Sequence, residues 1–220
     1  MFTGIIQELG KITKINHTQT GSSLFINCNL PSQVKSQLGD SVAVNGVCLT
    51  ITEQNEFGFA ADLAPSTLEK TALKNLKINQ LVNIETPMRL ESFLGGHIVQ
   101  GHVNDVGVIS NIEALTNCNI LTITLPYPLL KYCIEEGSIT IDGVSLTISN
   151  LQNQQIQINI IPHTWNKTIV SQYAIGQLVN VEVDIIAKYM EKWLSPWIKN
   201  LKSSEQSLNL NLGGNEKTSN

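Results

Sequence analysis

Charge is scarce in this 220-residue sequence. Lys and Arg number 14 and Asp and Glu 18, so charged residues are 15% of the chain where about 25% is usual. The formal charge of -4 offers no diffuse attraction to nucleic-acid phosphates or to an anionic membrane, so neither partner is expected. No apolar run approaches the roughly 20 residues that span a bilayer. The opening Met1-Phe2-Thr3-Gly4-Ile5-Ile6 has neither the basic leader nor the apolar core of a signal peptide, so a cytoplasmic protein is expected. Cysteine is sparse too. Cys28, Cys48, Cys118 and Cys133 form no C-x-x-C pair, which predicts reduced thiols and no zinc or redox site. What remains is a chain that is 42% hydrophobic with an uncharged polar surface of Asn, Gln, Ser and Thr, whose binding should be local and site-specific.

An internal repeat is the strongest signal, and it appears when the sequence is shifted against itself by 97 residues. Asn45-Gly46-Val47-Cys48-Leu49-Thr50-Ile51 falls on Asp142-Gly143-Val144-Ser145-Leu146-Thr147-Ile148, identical at five of seven positions. Pro65 to Thr71 falls on Pro162 to Thr168, Gln80 to Glu85 on Gln177 to Glu182, and Gly4 on Gly101. One ungapped offset serves all of them. A period of this size is a small domain and not a solenoid unit.

Within each copy the apolar runs are short and separated by turn residues, as in an all-β sandwich or barrel. They include Leu24-Phe25-Ile26, Ser41 to Val44, Cys48 to Thr52, Phe57 to Ala60 and Leu81 to Ile84, then Ile120 to Thr124 and Gln155 to Ile161. A short helix is expected over Ser66 to Leu73, capped by Ser66 with Glu69 as its capping-box partner. After the second copy, Asp184 is placed to cap a helix carrying Ile186, Tyr189, Met190, Trp193 and Leu194 at helical spacing. Ser195-Pro196 should end or kink that helix, with Trp197, Ile198 and Leu201 continuing its apolar face. Two tryptophans beyond complete domains point to a subunit contact. The division expected is 1–97 and 98–184 for the two domains, 185–202 for an oligomerisation helix and 203–220 for a disordered tail.

Positions where the copies agree are candidates for a shared ligand site. Alternation along a strand puts Cys48 and Thr50, and likewise Ser145 and Thr147, on one face, where they can meet a flat heteroaromatic ring. Backbone amides near Gly4 and Gly101 can serve a ring edge, since glycine permits close approach. The plainer reading makes these glycines turns and these threonines strand residues by propensity. His97 and His102 lack a third ligand for a metal. Of the two, His102 is the better acid/base candidate and His97 fits surface or packing. Cys48 is a weaker candidate for a nucleophile, because the second copy has Ser145 there. Asp142 and Asp184 fit turn or helix caps, and Asp142 against Asn45 is also a charge asymmetry between the copies.

Taken in order, Met1 to Ile6, Asn45 to Thr50, Gly95-Gly96-His97-Ile98-Val99-Gln100-Gly101-His102-Val103 and Asp142 to Thr147 resemble the riboflavin synthase family of the lumazine-binding superfamily, from Met1 to about Leu201. The resemblance implies two six-stranded Greek-key barrels and a C-terminal helix that assembles a homotrimer. It also implies a dismutation of two molecules of 6,7-dimethyl-8-ribityllumazine that needs no cofactor, and association with lumazine synthase as a partner.

Carried over, the resemblance implies a first pocket of Gly4, Ile5 and Ile6 with Cys48, Leu49 and Thr50, and with Asp62, Leu63, Ala64, Pro65, Ser66 and Thr67. The implied second pocket comprises Gly101, His102 and Val103 with Ser145, Leu146 and Thr147, and with Asn159, Ile160, Ile161, Pro162, His163 and Thr164. Phe2, Cys48, His102 and Ser145 are the implied catalytic or proton-handling residues. The family often carries Lys where this chain has Glu136, which replaces a cation at a substrate position by an anion. Trp165 replaces the aliphatic type of Leu68 and would change the second pocket's shape. The rival class is a non-catalytic lumazine or flavin carrier of the antenna type, which shares the duplicated fold. A structural barrel that binds no ligand is a third reading.

Overall fold

The computed structural model describes residues 1–18, 21–29 and 36–197. Among the described residues, twelve strands close into two antiparallel barrels. In the first, β1 (Glu8–Thr18), β2 (Gly21–Asn27), β3 (Ser41–Val44), β4 (Val47–Asn55), β5 (Gly58–Leu63) and β6 (Leu81–Glu85) pair in the order β1-β2-β5-β4-β3-β6. In the second, β7 (Asp105–Ala114), β8 (Asn119–Thr124), β9 (Ser138–Ile141), β10 (Val144–Gln152), β11 (Gln155–Ile160) and β12 (Leu178–Val183) repeat that order strand for strand. Each barrel is filled by the inward half of its alternating strands. Ile12, Leu24, Ile26, Phe59 and Ile84 fill the first, and Ile109, Leu121, Ile123, Ile156 and Ile158 the second.

The copies agree even in their irregularities. Register breaks follow Ile12 and Ile51 in the first barrel and Ile109 and Ile148 in the second, each pair one repeat apart. At three of these bulges a hydroxyl satisfies the facing strand: Thr13 donates to the Phe25 carbonyl, Ser110 to that of Thr122 and Ser149 to that of Gln157, at 3.0 to 3.2 Å. The extra residue sharpens the strand twist that closure requires.

Among the described residues, two short helices, α1 (Pro65–Lys70) and, after the single turn α2 (Tyr127–Leu130), α3 (Pro162–Lys167), begin at proline. Ser66 does not cap α1. The N-cap is Ala64 and no side chain caps it, because Pro65 at the first helical position has no N–H to satisfy and already carries a helical φ. The capping hydroxyls come later: Thr71 and Thr168 accept amides at the start of the 3-10 turns Ala72–Asn75 and Ile169–Gln172.

Met1–Asp184 form one compact unit, and buried asparagines join its barrels. Asn83 on β6 donates to the Asp142 carbonyl at 2.9 Å and accepts from the Ile169 amide at 2.9 Å. Asn180, its counterpart on β12, donates to the Asn45 carbonyl at 2.8 Å and accepts from the Ala72 amide at 2.7 Å. The repeated Leu-Val-Asn of the sequence is therefore a clasp, with each asparagine satisfying backbone groups of the other copy.

Residues 185–197 form a further helix, α4. Its apolar positions Ile186, Tyr189, Met190, Trp193 and Leu194 are exposed, as is Trp197, and the Tyr189 and Trp193 rings lie 6.0 Å apart. The helix runs on through Ser195 and Pro196 to residue 197, so the expected stop at that pair is not made there. Ile198, Leu201 and the 203–220 tail lie outside the described residues.

Candidate functional site

Strand alternation turns Cys48 and Thr50 outward while Val47, Leu49 and Ile51 enter the first core. Beside them β5 ends and α1 begins, so Asp62, Leu63, Ala64 and Thr67 complete a cleft of about 540 Å³. A smaller cleft of about 190 Å³ shares Cys48 and Thr67 with it and adds Ser66, Gly101, His102 and Val103. The second barrel repeats the face with Ser145 half-buried and Thr147 exposed on β10, next to the β11–α3 turn at Asn159 to Thr164.

The structure exchanges the glycine segments relative to the grouping expected from sequence. Gly101, not Gly4, lies on Cys48: the Cys48 amide donates to the Gly101 carbonyl at 2.9 Å, and a Cβ on Gly101 would lie 2.6 Å from that of Cys48. Gly4 lies on Ser145 in the same way, its carbonyl accepting the Ser145 amide at 2.7 Å. Val103 packs on the first core and Ile6 on the second. Each face is thus roofed by a segment of the other copy, and the two segments pair through Phe2 and Val99. An ungapped alignment shows which residues correspond, but not which copy they touch.

Two buried carboxylates hold these roofs. Glu85 accepts from the Thr3 amide and hydroxyl at 2.7 Å and from the Gly4 amide at 3.0 Å. Glu182 accepts from the Gln100 amide at 2.7 Å. Its Oε2 has no partner of ordinary hydrogen-bond geometry, although the Gly101 and His102 amides face the carboxylate and favour its charge. Burial raises the pKa of both acids against these amides. The Thr3 and Gly4 amides are thus engaged by Glu85 and the Gln100 amide by Glu182.

His97, assigned to surface or packing by sequence, is buried at the second face. Its Nδ1 lies 2.7 Å from Ser145 Oγ and its Nε2 3.1 Å from Thr140 Oγ1. Desolvation lowers its pKa against the charge of Asp184, which favours the neutral ring. Gly96 makes room, since a Cβ there would lie 2.8 Å from Ser145 Oγ. The Gly-Gly-His run was the available sequence signal.

The lumazine binding domain family matches the chain twice, over residues 3–87 and 100–184. Riboflavin synthase of Actinobacillus pleuropneumoniae is 43% identical over 194 residues, covering 88% of this chain and 90% of that protein. Riboflavin synthase of Bacillus subtilis (strain 168) is 41% identical, with 88% and 90% covered. The chain belongs to the riboflavin synthase family. Among solved structures, LumP complexed with riboflavin is similar at a TM-score of 0.78 and 26% identity, covering 83% of this chain and 99% of that one. LumP complexed with 6,7-dimethyl-8-(1'-D-ribityl) lumazine gives 0.75 and 25%, with the same coverage.

Not every residue implied by riboflavin synthase resemblance lies at a cleft. Phe2 is fully buried with Ala43 and Val99, and Cys48 packs against that cluster, so Phe2 supports Cys48 from beneath. Glu136 is exposed, with a left-handed φ of 64°, and lines none of the clefts described here. Pro162 and His163 are exposed in the first turn of α3. Trp165 packs on the second core as Leu68 does on the first, so the change is absorbed by the core. A further cleft, of about 660 Å³, is lined by Asn45, Asp142, Lys74 and Lys77 among others and contains no residue of the expected pockets. Among the described residues no three His, Cys, Asp or Glu side chains gather as a metal site requires.

Proposed function

We propose that this chain converts two molecules of 6,7-dimethyl-8-ribityllumazine into riboflavin and 5-amino-6-ribitylaminouracil by moving a four-carbon unit from one to the other. Two substrate molecules equal the two products atom for atom, so neither an oxidant nor a cofactor is needed. The observation that carries the proposal is the pair of matching faces, Cys48 with Thr50 and Ser145 with Thr147, in a chain 43% identical to a riboflavin synthase. A reaction between two copies of one molecule calls for two similar cradles, one for the donor and one for the acceptor.

Holding both lumazines in register supplies much of the rate through proximity. The methyl on carbon 7 is acidic because its carbanion delocalises into the ring carbonyls, and donors placed at those oxygens stabilise the anion. Thr50 and Thr147 are the proposed donors. Cys48, Ser145 and His102 are the proposed polar or proton-handling contacts. His102 is exposed beside Cys48, so it can reach a ligand there.

The proposed assembly is a cytoplasmic homotrimer built through the apolar face of α4, pairing the first barrel of one subunit with the second barrel of its neighbour. Association with lumazine synthase, the source of the substrate, belongs to the same proposal. LumP, which binds the lumazine and riboflavin, keeps a carrier role in view. The threonine on both faces and the exposed tryptophans of α4 favour the enzyme. Mixing the purified protein with the lumazine decides between them: flavin absorbance without additives supports the synthase, and persistent lumazine fluorescence supports a carrier.

A further inference from the structure

The two faces correspond residue for residue, yet their backing differs. Behind Cys48 the neighbours are Phe2, Ala43 and Val99, all apolar. One repeat later Ala43 becomes Thr140 and Cys48 becomes Ser145, and His97 is inserted between them. Its ring bridges the two hydroxyls at 2.7 and 3.1 Å, and its amide donates to the Thr3 carbonyl at 3.2 Å. The imidazole is therefore fixed at its backbone and at both nitrogens, in a site only 9% exposed.

We infer that His97 is a positioning residue for the dismutation: it fixes the Ser145 hydroxyl toward the second ligand face, and so makes two otherwise equivalent cradles chemically different. A neutral imidazole has one N–H and one lone pair. When Nδ1 carries the lone pair, Ser145 donates to it and turns its own lone pairs to the ligand. When Nδ1 carries the proton, Ser145 accepts from it and offers its hydrogen instead. Either way the hydroxyl is held and its direction is set by the ring, whereas the Cys48 thiol has no such partner in its backing cluster. The second cradle gains an oriented oxygen and the first presents a soft thiol on an apolar floor, which is the asymmetry that donor and acceptor roles require.

The inference rests on the proposed reaction, and its test separates the two. Riboflavin formation from 6,7-dimethyl-8-ribityllumazine is measured for the wild type, His97→Asn, His97→Gln, Ser145→Ala, and Ser145→Ala combined with His97→Gln. Asn carries its amide group near the position of Nδ1 and can keep the bond to Ser145, while Gln carries its amide near Nε2 and keeps only Thr140. Both are amides of similar polarity, so a difference between them does not report on folding alone. The expected result is that Gln lowers kcat/KM about tenfold, the size of one hydrogen bond to a reacting site, while Asn stays within about twofold of wild type. In the Ser145→Ala background the Gln substitution should cost less than about twofold, because its effect passes through the missing hydroxyl. Equal activity of Asn and Gln, or a Gln penalty undiminished without Ser145, overturns the inference. A wild type that forms no riboflavin overturns the proposed reaction, and the inference with it.

Discussion

Gly46 and Gly143 meet backbone to backbone where the barrels join. A Cβ on Gly46 would lie 2.5 Å from the Gly143 nitrogen, and one on Gly143 would lie 2.7 Å from the Gly46 nitrogen. Both occupy the left-handed region, with φ of 73° and 82°. Alanine at either position therefore faces conformational strain and a backbone clash that no rotamer relieves. The expected loss is about 3 kcal/mol for each, measured by urea unfolding. A loss below about 1 kcal/mol would show that the barrels do not depend on this approach.

Asp142 breaks the symmetry of the clasp. Its carboxylate accepts from the Asn180 amide at 2.8 Å and from the Tyr173 hydroxyl at 2.7 Å, whereas Asn45 in the first copy accepts from the Asn83 amide. Burial pushes the Asp142 pKa up to about 7 from 3.8. An unfolded chain loses this proton near 4 and the folded chain near 7, so between those values the unfolded state binds fewer protons. The contribution to stability is full below about 4 and is lost as pH rises to about 7, a change on the order of a few kcal/mol. Asp142→Asn keeps an acceptor for Asn180 and removes the charge. Its melting temperature should fall less between pH 5 and pH 8 than that of the wild type; parallel profiles would show that the carboxylate is ionised without cost.

Glu85 ties the amides of Thr3 and Gly4 to the first barrel while Gly4 roofs Ser145 on the second. A glutamine presents only one acceptor oxygen to these donors. Glu85→Gln should speed hydrogen exchange at Thr3 and Gly4 at least tenfold, on the order of 1.4 kcal/mol of local opening, and should weaken ligand binding at the Ser145 face more than at the Cys48 face. Unchanged exchange at both amides would remove Glu85 as the anchor of the roof.

The fold was legible because a 97-residue repeat carries its own internal check, and strands such as β2 and β11 alternate cleanly in burial. β1 and β7 are hard to read from sequence because a bulge after Ile12 and after Ile109 breaks the alternation midway. The apolar run Phe57 to Ala60 begins one residue before β5, because the Asn55 side chain turns the chain there by accepting the Phe57 and Gly58 amides, leaving Phe57 exposed. At the site, the outward residues of β4 and β10 followed from strand period alone. The crossing of Gly4 and Gly101 did not, since nothing local records which barrel a segment covers. His97 was hidden for the same reason: its partners Thr140 and Ser145 lie more than 40 residues away.

The apolar face of α4 leaves Trp193 67% and Trp197 74% exposed, and exposed apolar faces of this kind often mark interaction sites. Replacing both by Ser should lower the assembled fraction in sedimentation and riboflavin formation together. A fully active monomer would contradict a site shared between subunits.

The central claim is that two similar faces of one chain each hold a copy of the same molecule. A crystal structure with a ribityllumazine lacking both ring methyl groups, which cannot pass on the four-carbon unit, tests it most directly. The account predicts one ligand over Cys48, Thr50, Asp62 and the Gly101 roof, and a second over Ser145, Thr147, Asn159 and the Gly4 roof. A ligand at one face only, with the other closed by its own side chains at saturating concentration, would contradict it.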